Sequence, residues 1–259
     1  MMLSTRPAVL SATESYRSAR GPSHSSSRMV SIQATTARYR SAVGAESYAA
    51  PMPLRPAAEL LILEAAAIEP ILQAADETDF DLPTVCDGWS VRDVMAHCAA
   101  ALSRIAADDL HDFSPEANEG DVEARRGQSP GQVLAELING YETGAEGIEA
   151  AGGALDGIGL GEWMHGGDIR DALGLDGAYE SDGIELALGL LIERSQQMGK
   201  PAVTVHIGDE RLDYGVGESV TTLTTDRATF VRICGGRQPD SLRYRVEGPV
   251  SVADMVLFS

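Results

Sequence analysis

The sequence predicts an α+β protein, a helical bundle followed by a small C-terminal α+β domain. Three observations carry this reading. Apolar residues recur at helical spacing in segments between Arg55 and Met198, the period changes to alternation after Lys200, and Gly- and Asp-containing turn signals punctuate that second region. The bundle is expected over 54–178, with a linking helix and the α+β domain over 179–259.

Each element has a local reason. "RPAAELLILEAAAIEPILQAA", Arg55 to Ala75, reads as a helix with Pro56 in its first turn and Pro70 as a candidate kink. A second helix starts at Ser90, where Asp93 three residues on completes a capping-box pattern and Val91, Val94, Met95, Cys98 and Leu102 follow at helical spacing. The Gly- and acid-rich stretch from Asp108 to Ser129 reads as a connection. Further helices are expected near Pro130–Ala151, Ile158–Leu173 and Asp182–Met198. Then "AVTVHIGDERLDYGVG" reads as a hairpin turning at Gly208 and Asp209, and "VTTLTTD" and "LRYRVEG" as strands. Two short helices are interleaved, one after Asp226 ended by Gly235 and Gly236, and one after Pro249.

Residues 1–53 differ from the rest. They are rich in Ser, Ala and Arg and show no persistent period, so they read as disordered or as an over-long gene start with Met29 or Met52 as the true initiator. A targeting arm is the alternative for this Arg-rich, acid-poor composition.

Composition narrows the function. A formal net charge of −19 repels a polyanion, which argues against nucleic acid as a partner. The longest apolar runs are too short to span a bilayer, so no membrane partner and a cytoplasmic location are expected. Three cysteines, Cys86, Cys98 and Cys234, with no CxxC pair argue for reduced thiols rather than a disulfide framework.

The strongest chemical signal is "IGLGEWMHGGDIRDALG", Ile158 to Gly174. At helical spacing Glu162 and His165 fall within the apolar stripe of Ile158, Ile169, Ala172 and Leu173. Two ionisable groups pointing into a core need partners. They either pair with each other and fix helix packing, or they ligate a metal, as carboxylates and imidazoles do in bundle cores. His97 sits at the edge of its own helix's apolar stripe. Together His97, Glu162 and His165 give two imidazoles and a carboxylate, which leaves a divalent metal open to water or substrate. Around them, Trp89 reads as a site wall or a hydrophobic staple, and Asp168 with Arg170 as an ion pair or as groups orienting His165. Gly166 and Gly167 weaken the helix by about 0.5–1 kcal/mol each, a cost tolerated where backbone must approach a ligand.

"GWSVRDVMAH", "EWMHGGDIRDALG" and "GGRQPDSLRYRVEGPVSVADMVL" together resemble the mycothiol-dependent maleylpyruvate isomerase family, within the DinB-like metal-binding four-helix bundle superfamily. The resemblance spans roughly Ala57 to Phe258. It implies a divalent metal, usually zinc, held in the bundle, with His97 and His165 on the family's histidines and mycothiol as thiol cosubstrate. It also places Arg237 on the "GR" of the family's tail, as a candidate catalytic clamp for a carboxylate. One departure stands out: the family's acid lies four residues before the second histidine, where this chain has Gly161, and Glu162 lies three before it. A helical irregularity near Gly159 and Gly161 is the expected remedy.

The implied activity is isomerisation or thiol transfer on a small electrophilic or unsaturated acid, by a monomer or homodimer. Two rivals stand beside it: a non-catalytic bundle with a binding or regulatory role, and thiol-independent hydrolysis by the same triad.

Overall fold

The computed structural model describes residues 53–238 and 241–258. The reading of the N-terminal stretch as disordered or mis-started therefore falls, apart from Pro53, outside the described residues. The fold is mostly helical with a small four-stranded sheet towards the C-terminus. In chain order the elements are α1 (Pro56–Gln73), α2 (Val91–Ala106), α3 (Pro115–Arg125), α4 (Pro130–Ala150), α5 (Asp156–Ala172), α6 (Ile184–Gln197), β1 (Val203–Ile207), β2 (Glu210–Tyr214), β3 (Thr222–Thr225), α7 (Arg227–Cys234) and β4 (Tyr244–Glu247).

The helix starts obey their sequence signals. Ser90 accepts from the Asp93 backbone N–H while the Asp93 side chain reaches back, so the predicted capping box forms at α2. Ser129 and Gln132 make the same box ahead of α4, with Pro130 in the first turn. In α1 the helix continues through Pro70 to Gln73. The connection after Asp108 contains a helix, α3, that periodicity does not announce. Its Ser114 cap and Pro115 are proper start signals, but among its residues only Val122 is buried, so no apolar stripe marks it.

Packing centres on α5. Ten of its residues are buried, Gly159, Leu160, Glu162, Trp163, Met164 and Gly166 to Arg170, because α1, α2, α4 and α6 all lie against it. A helix wrapped on several sides has no narrow stripe, which is why the stripe drawn from Ile158, Ile169, Ala172 and Leu173 undercounts what it buries. Elsewhere small residues set the spacing: a Cβ on Gly144 or Gly147 would stand 2.7 Å from Leu102 and 2.5 Å from Ile105, so α4 approaches α2 more closely than alanine would permit.

The sheet order is β2-β1-β3-β4, with β1 and β3 parallel and the outer pairs antiparallel. The hairpin turns at Gly208 and Asp209 as predicted, with Ile207 opposite Glu210. After Pro249 the chain makes only a short 3-10 helix, Val252–Met255. The sheet's buried face, Val203, Val205 and Leu223, joins Phe230 and Ile233 of α7 and shares one core with the bundle. Helix α6 packs on α1 and α5 on one side and on β2 and α7 on the other.

One buried ion pair lies beneath α5. Arg170 reaches Glu64 of α1 through two hydrogen bonds of 2.6 and 3.3 Å, and Ser181 bonds to both partners. Glu64 has no exposed surface and Arg170 has 4%. Burial pushes the Glu64 carboxyl up, opposed by the charge and hydrogen bonds of Arg170. The pair explains Gly166, since a Cβ there would lie 1.8 Å from the Glu64 carboxylate; at Gly167 it would lie 2.4 Å from the Tyr179 ring. What comes close to this helix is the protein's own side chains. Breaking a buried pair from one side leaves an unpaired charge, at a cost of about 3–5 kcal/mol. Arg170→Ala is therefore expected to lower stability by that amount in chemical denaturation, and a Glu64→Leu, Arg170→Met double replacement to recover most of it.

Candidate metal and thiol site

The site forms where the start of α2, the middle of α5 and the end of α7 meet. A tight turn from Thr84 to Trp89 brings Cys86 and Trp89 to the foot of α2: the Thr84 hydroxyl accepts from Cys86 N at 3.1 Å and donates to Trp89 O at 2.9 Å, and Gly88 takes a φ of +78°. The Trp89 ring lies tilted at 43° against His97 with centroids 4.9 Å apart, and its Nε1 donates to Glu119 of α3 at 3.0 Å. It is a wall of the site. His97 in turn meets His165 edge-on, centroids 5.1 Å apart.

Arg237 arrives from the turn after α7. Helix α7 ends at Gly235, and Gly236, at φ +71°, turns the chain so that Arg237 N bonds back to Arg232 O at 2.9 Å. Its guanidinium then grips Asp168 of α5, Nε to Oδ1 at 3.0 Å and Nη2 to Oδ2 at 2.5 Å, while Nη1 donates to Gly235 O. Arg237 already holds a carboxylate, the protein's own.

Asp168 is the hub. It has no exposed surface and accepts from Tyr179 Oη at 2.5 Å and Cys86 Sγ at 3.3 Å besides Arg237, and His165 Nδ1 lies 3.0 Å from its Oδ2. Burial alone would raise its pKa, but the hydrogen bonds from His165 and Arg237 and the guanidinium's charge outweigh that and hold the carboxyl well below its usual range. The same carboxylate and burial push the Cys86 thiol up to about 12, which keeps it a thiol. Asp168 thus pairs with His165 and Arg237, and Arg170 with Glu64.

Glu162 lies on the same helix, 2% exposed, and accepts a hydrogen bond from the Cys98 thiol. Among the described residues its Oε2 finds no partner, and neither does Nδ1 of His97. Burial pushes the Glu162 carboxyl up to about 8, and burial, with the nearby His165 and Arg237, lowers His97 to about 3. The structure therefore brings His97, His165 and Arg237 into one neighbourhood and turns Glu162 towards Cys98. Helix α5 runs unbroken past Gly159 and Gly161. A Cβ at Gly159 would stand 2.9 Å from Ala57 O, so the helix is seated against α1 at the point where an irregularity was expected.

Among the described residues, Cys86, His165 and Asp168 have donor atoms mutually within 4.8 Å. Arg237 Nη2, 3.4 Å from His165 Nδ1, already brings positive charge there, so these three act as a hydrogen-bonded network. The orphaned His97 Nδ1 and Glu162 Oε2 are different. Buried polar atoms without partners are uncommon, and a divalent cation is a group that satisfies both kinds. Sequence reasoning left out Cys86 and Tyr179; only the adjacency of Cys86 to the "GWS" turn hinted at the first, and Tyr179 sits in a loop without periodicity.

This bundle with its C-terminal cap has the maleylpyruvate isomerase fold. Residues 61–169 match the family model described as the mycothiol maleylpyruvate isomerase N-terminal domain. A solved mycothiol-dependent maleylpyruvate isomerase superposes with a TM-score of 0.51 at 16% identity, over 77% of this chain and 95% of the other. A mutant of a mycothiol-dependent maleylpyruvate isomerase gives 0.49 at 17% identity over the same shares. No curated protein matches the sequence. No helix among the described residues is long and apolar enough to cross a membrane.

The two shifted groups define opposite pH windows. The raised Glu162 contributes stability that is fully present below the ordinary carboxylate range and lost as pH rises through about 8; the lowered His97 contributes stability present above the ordinary imidazole range and lost as pH falls towards about 3. In metal-stripped protein, Glu162→Gln is expected to abolish the alkaline loss and exceed the wild type in stability above pH 8, while His97→Gln flattens the acid limb. Denaturant midpoints measured against pH check both.

Proposed function

We propose that this protein is a divalent-metal enzyme, with zinc the expected ion, that uses a low-molecular-weight thiol, mycothiol, to isomerise or conjugate a small electrophilic or unsaturated acid. What supports the reading is the pair of unpartnered buried atoms, His97 Nδ1 and Glu162 Oε2, on two helices of the matched segment, with His97 in edge contact with His165. His97, His165 and Glu162 would hold the ion, and the lowered pKa of His97 keeps that imidazole neutral and able to ligate.

The ion supplies a lower pKa to a bound thiol, giving a nucleophile at neutral pH. The chain's own residues do the rest. Asp168 holds His165, Trp89 covers one face of His97 against water, and Arg237 leaves part of its Nη1 and Nη2 donor capacity free for a substrate carboxylate. In the isomerase variant, the thiolate adds to a conjugated cis double bond, the new single bond rotates, and expulsion of the same thiolate restores the double bond as trans. In the transferase variant the adduct is the product.

The orientation of Glu162 towards Cys98 favours a second reading, a bundle that binds metal or ligand without turnover. One experiment separates the two. Untagged protein is expected to carry about one divalent ion per chain, lost in His97→Ala, His165→Ala, and to turn over cis-dienoic acids only when a thiol is added. Metal without thiol-stimulated turnover would favour the second reading; turnover independent of thiol would indicate hydrolysis; protein that neither retains nor takes up metal would refute the site. Trp89 reports independently, because its ring lies on His97: titrating zinc into stripped protein should change tryptophan emission, and Trp89→Phe should remove that change although Trp163 remains.

A further inference from the structure

We propose that Asp168 is a positioning residue that fixes His165 as the Nδ1–H tautomer, leaving Nε2 with its lone pair free to face the site. The inference rests on the reading of His165 as a metal ligand for its consequence, but its geometric basis is independent of any ion. His165 Nδ1 lies 3.0 Å from Asp168 Oδ2, and the two carboxylate oxygens are simultaneously engaged by Arg237 Nε, Arg237 Nη2, Tyr179 Oη and Cys86 Sγ. A carboxylate gripped by a guanidinium at two points can only accept. An unprotonated Nδ1 would then set two lone pairs against each other at 3.0 Å in a site without exposed carboxylate surface. In the competing tautomer an unprotonated Nδ1 would accept from Arg237 Nη2 at 3.4 Å or Cys86 Sγ at 3.7 Å, both longer contacts than the 3.0 Å approach of Asp168 Oδ2, which favours the proton on Nδ1.

The arrangement also assigns parts to residues with no contact to the ligand side of the ring. Tyr179 comes from the loop between α5 and α6 and is pressed on α5 at Gly167, and Arg232 lies over its ring at 4.9 Å. Arg237 comes from the turn after α7. Three separate segments, the Thr84 to Trp89 turn, the Tyr179 loop and the end of α7, therefore converge on the one carboxylate that orients the imidazole. Such partners of metal-ligating histidines typically change metal affinity 10–100-fold when removed.

The tautomer is read directly by nitrogen-15 imidazole spectroscopy on metal-free full-length protein at mildly alkaline pH, with His165→Asn identifying the resonance. A ring protonated on Nδ1 alone is expected. A ring protonated on Nε2, or on both nitrogens, would overturn the proposal whatever the metal does. In a zinc competition assay with a chromophoric chelator, Asp168→Asn should weaken binding by about 10–100-fold and let the His165 tautomer shift; unchanged affinity with an unchanged tautomer would also overturn it. If Asp168→Asn does not fold, the wild-type spectrum decides alone. If the tautomer is as expected but neither protein binds zinc, the metal reading fails and the positioning role stands.

Discussion

The Asp168 carboxylate is the constraint on which the rest of the site depends. A carboxylate without solvent contact is costly unless its lone pairs are filled, and here they are filled from three directions. Because the strongest donor, Arg237, comes from the turn after α7, satisfying one charge on α5 also ties the end of α7 to the helices. The same carboxylate lies 3.0 Å from His165 Nδ1. One group thus joins the end of α7, the His165 imidazole and the Cys86 thiol to α5.

A second buried pair, Glu64 with Arg170, does a different job. It lies on the same helix as Asp168 but faces α1, and its partners are Ser181 and the Ala178 carbonyl rather than the site. Asp168 and Arg170 are two residues apart, so they point to different sides of α5 and take different partners. Sequence proximity allows an ion pair between them or a role beside His165; helical geometry puts Asp168 against His165 and Arg170 against Glu64.

Much of this was legible in the sequence, for reasons that can be named. The Ser90 and Asp93 box, the hairpin at Gly208 and Asp209, and the glycine stop after α7 are local rules, and local rules survive folding. The proximity of His97 and His165 was legible because each sits on or beside an apolar stripe. Helix α3 was not, since a helix that buries little beyond Val122 has no period to detect. Cys86 and Tyr179 were not, because turns and loops are positioned by tertiary contacts that spacing does not encode. Gly166 and Gly167 were read as making room for a ligand, when the close approach comes from Glu64 and Tyr179.

The position of Glu162 is the point on which the chemistry turns, and magnitudes identify what controls it. With 3.6 residues per turn, an acid three residues before His165 lies about 60° to one side of it, and one four before lies about 40° to the other. A one-residue shift therefore carries the carboxylate across the imidazole, here to the side where Cys98 waits. The hydrogen bond it finds there is a weak obstacle: a net contribution of about 0.5–1.5 kcal/mol is small beside the roughly 10–16 kcal/mol that structural zinc sites gain. Burying the carboxylate without a cation already works against its charge, as its raised pKa records. A Cβ at Gly159 would stand 2.9 Å from the Ala57 carbonyl oxygen, so α5 is closely seated on α1 there, whereas one at Gly161 would meet only Phe258 at 3.8 Å. Side-chain reorientation of Glu162 within a fixed helix is thus a smaller change than rotation of α5, and His97 and His165 already meet edge-on with ring centroids 5.1 Å apart.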